Sequence, residues 1–321
     1  MLLQVKRKRR NNSSFFVIIE LWSCGCMKKE HITIKSNCDG LKLNTSIFIP
    51  DKPIRGIVQI AHGMIEHQVC YYDLMKFLAK VGYVSIIHDH RGHGKSVWSE
   101  ADLGYFYEEK AEYIVEDMHQ ITQYVKEKYP KVPVYLFGHS MGSLIIRKYL
   151  KKYDKDVKKV ILCGSPSITN NISFGLFLCK AIKLLRGERH RCHLLKRFVL
   201  PHKSLDKWLS TNSEYLEECI HDKYSSFDFT VNGYLNIIQL MRDVYSKKGW
   251  KMKNPNLDIL FIVGEKDPIA KGEKRFLKSV HFLEKVGYQH VSYKIFYGCY
   301  HAVFKDKPDE VYAEILSFLE N

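Results

Sequence analysis

Short apolar runs alternate along most of the chain with longer segments whose apolar residues recur every three or four positions. The first pattern is typical of buried β-strands and the second of amphipathic helices. Their alternation predicts an α/β fold, with a mostly parallel eight-stranded sheet flanked by helices. The predicted strands are residues 31–36, 42–49, 55–61, 83–88, 134–137, 157–163, 257–263 and 291–297. The predicted helices of this core are residues 72–81, 112–129, 143–150, 272–286 and 309–319.

Residues 166–240 interrupt the alternation with several helical patterns and a basic segment. The helical patterns cover residues 175–185, 213–221 and 233–245. Ligands of parallel α/β sheets bind beyond the carboxyl ends of the strands, so an insertion after such an end predicts a cap over the site. We therefore expect a core of residues 27–165 and 241–321 and a helical cap or lid of residues 166–240.

The first 26 residues do not fit either pattern. Residues 6–10 are basic and residues 15–19 are apolar, but Glu20 ends the apolar run. A secretory signal needs a longer apolar core and a small-residue cleavage site. We expect a disordered or artefactual extension, with translation beginning at Met27, and keep a targeting segment as the alternative.

Charge and cysteine content narrow the functional classes. The net charge of +15 is consistent with binding to nucleic acid or to an anionic membrane surface. It is also consistent with a lysine-rich surface that is simply solvated. Zinc-finger spacings and RNA-binding aromatic motifs are absent from the sequence, so a nucleic-acid partner is not expected. Nine scattered cysteines indicate reduced thiols and a cytoplasmic protein rather than a disulfide framework. The sequence contains no apolar run of membrane-spanning length.

Residues 138–142, Gly-His-Ser-Met-Gly, fit the pattern G-x-S-x-G between a predicted strand and a predicted helix. A sharp turn at this point projects the hydroxyl of Ser140. Gly138 and Gly142 are needed structurally because a Cβ would clash with the neighbouring strand and helix. The alternative is an ordinary glycine-containing turn without chemistry.

A serine nucleophile needs a base beside it and a carboxylate that orients the base. Asp267 follows the strand 257–263, and His301 follows the strand 291–297. The order Ser, Asp, His and the strand ends predict Ser140, Asp267 and His301 as a catalytic triad. Glu265 is the alternative acid. His290 is the weaker alternative base, since it precedes its strand.

The developing oxyanion needs two hydrogen-bond donors. We predict the backbone N–H of Met141, directly after the serine, and the backbone N–H of Met64, in the loop after strand 55–61. His62 and Glu66 in that loop are expected to hold its shape by hydrogen bonds rather than to react.

From Met27 onward the chain resembles the monoacylglycerol lipase and lysophospholipase group of α/β-hydrolases. The stretches that carry the resemblance are residues 62–67, 89–96, 138–142, 222–230, 264–268 and the loop of His301. The resemblance implies a serine esterase for lipid-like acyl esters, with the triad and oxyanion donors at the positions named above. It also implies that residues 89–96 fix a loop. The chain departs from the group at Ile65, where glycine is common.

Other chemistries fit the sequence less well. No cysteine stands in a nucleophile turn, and epoxide or haloalkane hydrolysis would need an aspartate at position 140. His88, His90 and His93 lack a recognisable ligand partner apart from Asp89, so neither a metal nor another cofactor is expected. The open alternatives are an esterase or amidase for small non-lipid substrates and a non-catalytic binding module.

The predicted cap is strongly basic. Residues 180–207 contain nine lysines and arginines, opposed by only two acidic residues, and the preceding residues 172–179 are mostly apolar. An apolar patch with a basic rim predicts transient contact with an anionic membrane surface. The alternative is a solvated helix face beside a core stripe.

Overall fold

The computed structural model describes residues 4–10, 13–19, 27–168, 171–201 and 203–321. Within these residues, ten strands form one sheet. The strands are β1 (Gln4–Arg10), β2 (Ser13–Ile19), β3 (Met27–Lys35), β4 (Lys42–Pro50), β5 (Gly56–Ala61), β6 (Tyr83–His88), β7 (Val134–His139), β8 (Lys159–Cys163), β9 (Asp258–Gly264) and β10 (Val291–Phe296).

The strand order across the sheet is β1-β2-β3-β4-β6-β5-β7-β8-β9-β10. The first four strands pair antiparallel, as does β4 with β6, whereas every pair from β6 to β10 is parallel. Strands β3 to β10 coincide with the eight predicted strands, so the predicted mostly parallel fold is confirmed. The carboxyl ends of β5, β7, β8, β9 and β10 therefore meet at one edge of the sheet.

The central strands of the sheet are buried because their sequences are mainly apolar. Every residue of β5, β6, β7 and β8 is buried. Such near-continuous apolar strands are stable only where helices cover both faces of the sheet. The edge strand β10 has mostly exposed or half-buried residues instead.

Ten α-helices lie within the described residues. They are α1 (Tyr72–Lys80), α2 (Tyr113–Lys128), α3 (Met141–Tyr153), α4 (Ile172–Arg186), α5 (His193–Val199), α6 (Ser213–His221), α7 (Val231–Val244), α8 (Glu273–Val286), α9 (Val303–Asp306) and α10 (Pro308–Glu320). Residues of α2, α3 and α8 form one hydrophobic core, and residues of α1 and α10 form a second core. The two cores cover opposite faces, as the strand burial requires.

The structure describes part of the N-terminal segment, residues 4–10 and 13–19. Strands β1 and β2 form a hairpin, and β2 pairs with β3, where Phe16 lies opposite Thr33. The run Ser13–Ile19 is rich in aromatic and β-branched residues, which favour strands. Residues 1–3, 11–12 and 20–26 lie outside the described residues, so the expectation for them stays a prediction.

Helices α4, α5, α6 and α7 occupy the segment between β8 and β9. Helix α5 has no counterpart among the predicted helical patterns, because it is only seven residues long and lies within the basic segment of the predicted cap. Helix α7 instead has buried residues along nearly its whole length and belongs to the first core. The division of the chain into core and cap at residues 166 and 240 stays a prediction.

Candidate active site

Ser140 forms the turn between β7 and α3. Its φ of 51° and ψ of −117° lie where L-residues are strained, and its N–H donates to the Cys163 carbonyl over 2.9 Å. Neighbouring backbones approach this turn so closely that a Cβ on Gly142 would lie 2.0 Å from the Ala61 oxygen. A Cβ on Gly138 would lie 2.6 Å from the Ile146 side chain. The packing around both glycines therefore leaves no room for a Cβ atom.

Asp267 and His301 meet beyond the ends of β9 and β10. The Nδ1 atom of His301 lies 2.8 Å from Oδ2 of Asp267, and both residues are buried. The other carboxylate oxygen accepts the N–H of Ile269 over 2.8 Å. A carboxylate at Nδ1 fixes the proton on that nitrogen and leaves Nε2 free to accept one.

The two alternative residues lie elsewhere. Glu265 is exposed and accepts the backbone N–H of Gly298 over 3.0 Å. His290 is exposed at the start of β10, where its Nδ1 lies 3.1 Å from Asp258. Neither side chain forms a hydrogen bond or an ion pair with Asp267 or His301.

A cavity of about 490 Å³ opens over the turn and is lined by both Ser140 and His301. Its volume is in the range of small-molecule sites, and its walls are mainly apolar. A second cavity of about 570 Å³ adjoins it and shares part of its lining. The residues common to both cavities are Met64, Glu66, Arg197, Leu200, Pro201, Lys203, Trp208 and Leu209.

The two residues whose backbone N–H groups are the predicted oxyanion donors lie close to Ser140. Met64 and Met141 line the first cavity together with Ser140, and Met141 is the first residue of α3. Ile65, next to Met64, has a φ of 56°, which a β-branched side chain rarely adopts. The glycine that is common here would adopt it freely, so this chain carries local strain in the loop.

His62 holds that loop as a neutral side chain. Its Nδ1–H donates to the Gly63 carbonyl over 2.8 Å, and its Nε2 accepts the N–H of His90 over 2.9 Å. Complete burial lowers the pKa of His62 to about 3. The ring therefore stays uncharged and acts as a fixed hydrogen-bonding link between two loops.

Glu66 is buried at the centre of a network that sequence reasoning found only in part. It accepts hydrogen bonds from the Gly63 N–H over 2.7 Å, from the Tyr71 hydroxyl over 2.5 Å and from the Tyr215 hydroxyl over 3.2 Å. Its Oε2 also lies 3.2 Å from Nδ1 of His139. Tyr215 belongs to α6, so this carboxylate joins the loop of Met64 to the predicted cap.

His139 precedes the serine and faces two acceptors, Glu66 through Nδ1 and the His301 carbonyl through Nε2, over 3.3 Å. Burial alone would lower the pKa of His139, but the charge of Glu66 outweighs it and the pKa is raised. Burial alone would raise the pKa of Glu66, but the charge and hydrogen bonds of His139 hold that pKa below its usual range. Glu66 and protonated His139 therefore form a buried ion pair directly beside the turn.

In the loop after β6, buried histidines surround the buried side chain of Asp89. Asp89 accepts hydrogen bonds from the N–H groups of Gln68 and Lys95, each over 2.9 Å. Burial lowers the pKa of both His88 and His93 to about 3. Among the described residues, no group of histidine, cysteine or acidic side chains has the arrangement needed to hold a metal ion.

A family model described as "Serine aminopeptidase, S33" matches residues 52–308. The monoglyceride lipase of Rattus norvegicus is 27% identical over 280 residues, which cover 85% of this chain and 84% of the relative. A thermostable carboxyl esterase from Bacillus coagulans has a TM-score of 0.81 at 25% identity, covering 91% of this chain and 98% of that one. Monoacylglycerol lipase from Paleococcus ferrophilus has a TM-score of 0.66 at 21% identity, covering 86% of this chain and 98% of that one.

The family match extends over the whole sheet from β5 to β10 and over the segment that precedes β9. It includes the turn at Ser140, the loop of Met64, Asp267 and His301. The chain therefore belongs to the serine aminopeptidase S33 family, and it is a carboxylic ester hydrolase of the α/β-hydrolase fold that is similar to the monoglyceride lipases.

Proposed function

We propose that the protein hydrolyses single-chain lipid esters, such as monoacylglycerols or lysophospholipids, through an acyl-enzyme on Ser140. The observation that carries the proposal is the cavity in which Ser140, on its strained turn, lies with His301, whose Nδ1 is held by Asp267. Similarity to monoglyceride lipases supports a lipid substrate. The apolar walls of the cavity suit one acyl chain.

In the proposed reaction, Oγ of Ser140 attacks the ester carbonyl while its proton passes to Nε2 of His301. Asp267 stabilises the imidazolium that forms. The backbone N–H groups of Met64 and Met141 donate to the tetrahedral oxyanion. Its collapse breaks the bond to the alcohol, which leaves with the proton from His301. Water, deprotonated by His301, then attacks the acyl carbon. The bond from that carbon to Oγ of Ser140 breaks, Oγ takes the proton back from His301, and the fatty acid leaves.

A transient contact with an anionic membrane is the second part of the proposal. On α4, the side chains of Phe174, Phe177, Leu184 and Leu185 are more than half exposed, and Lys180 lies between them. Such a face can enter a lipid interface while the basic side chain contacts head groups. Among the described residues, no helix is long and apolar enough to cross a membrane.

The cysteines are relevant to the proposed cytoplasmic location. The seven cysteines within the described residues are all free thiols. Thiols persist in a reducing compartment, where disulfides are rare. The expectation of a cytoplasmic protein with peripheral membrane contact therefore remains our proposal.

The experiment is a hydrolysis panel with wild type and Ser140→Ala. We expect wild type to release fatty acid from monooleoylglycerol or a lysophospholipid and Ser140→Ala to lose at least about a thousandfold in kcat. Ser317→Ala, an exposed serine on α10, serves as the matched control. Cleavage of only short, water-soluble esters or amides would favour the small-substrate alternative, and lipid binding without turnover would favour a binding module.

A further inference from the structure

Three cationic side chains line the cavities at Ser140 and have no acidic partner among the described residues. Arg197 lies on α5, Lys203 follows that helix, and Lys271 lies just after Asp267. Arg197 and Lys203 border both cavities, and Lys271 borders the one that contains Ser140. In the part of the chain that the structure describes, none of the three side chains forms an ion pair or a hydrogen bond.

Three other basic residues of the same segment form ion pairs. Lys196 lies 2.6 Å from Asp228, and Lys183 lies 3.1 Å from Glu188. Arg189 pairs with Asp102. Lys196, which also lines the second cavity, is thus compensated by Asp228, whereas Arg197, Lys203 and Lys271 have no such partner among the described residues.

The acidic residues that line the cavities are already engaged. Glu66 accepts three hydrogen bonds, and its Oε2 also lies 3.2 Å from Nδ1 of His139, so the carboxylate is engaged within the network of its loop. Asp228, which lines the second cavity, is paired with Lys196. The walls therefore present an excess of positive charge to a bound molecule, beside apolar side chains such as Leu200 and Trp208.

Positive side chains beside an apolar wall attract an anion that is attached to an apolar group. Arginine and lysine bind phosphate through charge-assisted hydrogen bonds, which are stronger than neutral ones. The ester group itself carries no charge, so the anion must lie elsewhere in the substrate. In a single-chain lipid the acyl chain is apolar and the polar head group is the alcohol, so we assign the anion to the alcohol side. A single-chain lipid with a phosphate in its head group has both features.

We propose that the site is selective for single-chain lipid esters whose head group carries a phosphate, with Arg197, Lys203 and Lys271 as the residues that recognise it. This inference rests on the proposed function, because Ser140 must cleave the ester. The apolar walls receive the acyl chain and the cationic residues receive the phosphate. A neutral monoacylglycerol uses only the first of these contacts and is therefore the poorer substrate.

The test compares octanoylglycerol with octanoylglycerol 3-phosphate, both below the concentration at which they aggregate, so that surface binding does not contribute. We expect wild type to have the lower KM for the phosphate ester. In the triple variant Arg197→Gln, Lys203→Gln, Lys271→Gln, we expect this KM to rise about tenfold or more, since each exposed ion pair contributes modestly. The KM of the neutral ester should stay within about twofold.

Lys207→Gln is the matched control, because Lys207 is an exposed lysine near Lys203 that lines neither cavity. It should leave both KM values unchanged. Equal KM values for the two esters in wild type, or an equal effect of the triple variant on both, would overturn the inference while leaving the proposed function intact. If wild type cleaves neither ester but a fluorophosphonate labels Ser140, the inference also fails. Absence of both cleavage and labelling would overturn the proposed function itself.

Discussion

Replacing Glu66 by glutamine tests whether the buried ion pair beside the turn stabilises the site. The substitution keeps the shape of the side chain but removes its charge. Its hydrogen bonds from Gly63 and Tyr71 go to one oxygen, which also faces His139. The amide oxygen of glutamine can still accept them, so the main loss is the counter-charge of His139.

The magnitude follows from burial. Removing one partner of a buried ion pair typically costs about 3–5 kcal/mol, because the other charge is left uncompensated. Glu66 and His139 are 4% and 1% exposed, so solvent screens this pair little. Because glutamine retains part of the hydrogen bonding, we expect the free energy of unfolding to fall by about 3 kcal/mol.

The loss should depend on pH. In wild type, His139 has a raised pKa, so its stabilising contribution is fully present below the ordinary value of 6.5 and is lost as pH rises through the raised pKa. Glu66 has a lowered pKa, so its contribution is present above the ordinary value of 4.5. Without Glu66, burial lowers the pKa of His139. The difference between wild type and Glu66→Gln is therefore largest between pH 4.5 and 6.5.

The assay is urea unfolding of wild type and Glu66→Gln near pH 5.5 and pH 8, followed by tryptophan fluorescence. Glu265→Gln is the control, because Glu265 is exposed and should change the free energy of unfolding by less than about 0.5 kcal/mol. A Glu66→Gln variant destabilised by less than about 1 kcal/mol, with the same value at both pH values, would refute the reasoning.

Three further changes give separate outcomes. Burial lowers the pKa of His88 to about 3, whereas in the unfolded chain it has its ordinary value of 6.5. Below pH 6.5 the unfolded state therefore binds a proton that the folded state does not, and the free energy of unfolding falls by about 2 kcal/mol between neutral pH and about pH 5. In urea titrations, the free energy of unfolding of His88→Phe should fall by about 2 kcal/mol less than that of wild type over this pH interval. The same pH dependence in both proteins would count against a neutral, buried His88 ring. Gly142→Ala places a methyl group 2.0 Å from the Ala61 oxygen and should both abolish esterase turnover and lower Tm, whereas wild-type turnover would disprove the close packing. Asp267→Asn should lower kcat about a thousandfold or more in a folded protein, and a comparable loss in Glu265→Gln instead would make Glu265 the acid.

The sequence predicts the core of the sheet because local pattern and tertiary environment agree there. The runs that became β5, β7 and β8 are apolar at nearly every position, as strands covered on both faces must be. The bounds were less accurate around the serine. Strand β7 extends to His139 and helix α3 begins at Met141, because the whole reversal of direction is made by Ser140 alone.

The features that the sequence does not predict depend on contacts between residues far apart in the chain. Glu66 and His139 are 73 positions apart, and Glu66 and Tyr215 are 149 apart, so no local pattern links them. Helix α5 is only seven residues long, and it packs against α7 and carries the pair of Lys196 with Asp228, contacts that its own sequence does not show. Which basic residues remain without acidic partners also depends on the folded arrangement.

The central claim is that Ser140 is the nucleophile that forms the acyl-enzyme. The most direct measurement is to treat the folded wild-type protein with a fluorophosphonate, digest it, and locate the adduct by mass spectrometry. We predict one adduct, on Ser140, which disappears in Ser140→Ala and forms much more slowly in His301→Gln. An adduct on another residue, or none on protein that hydrolyses the lipid ester, would contradict the claim.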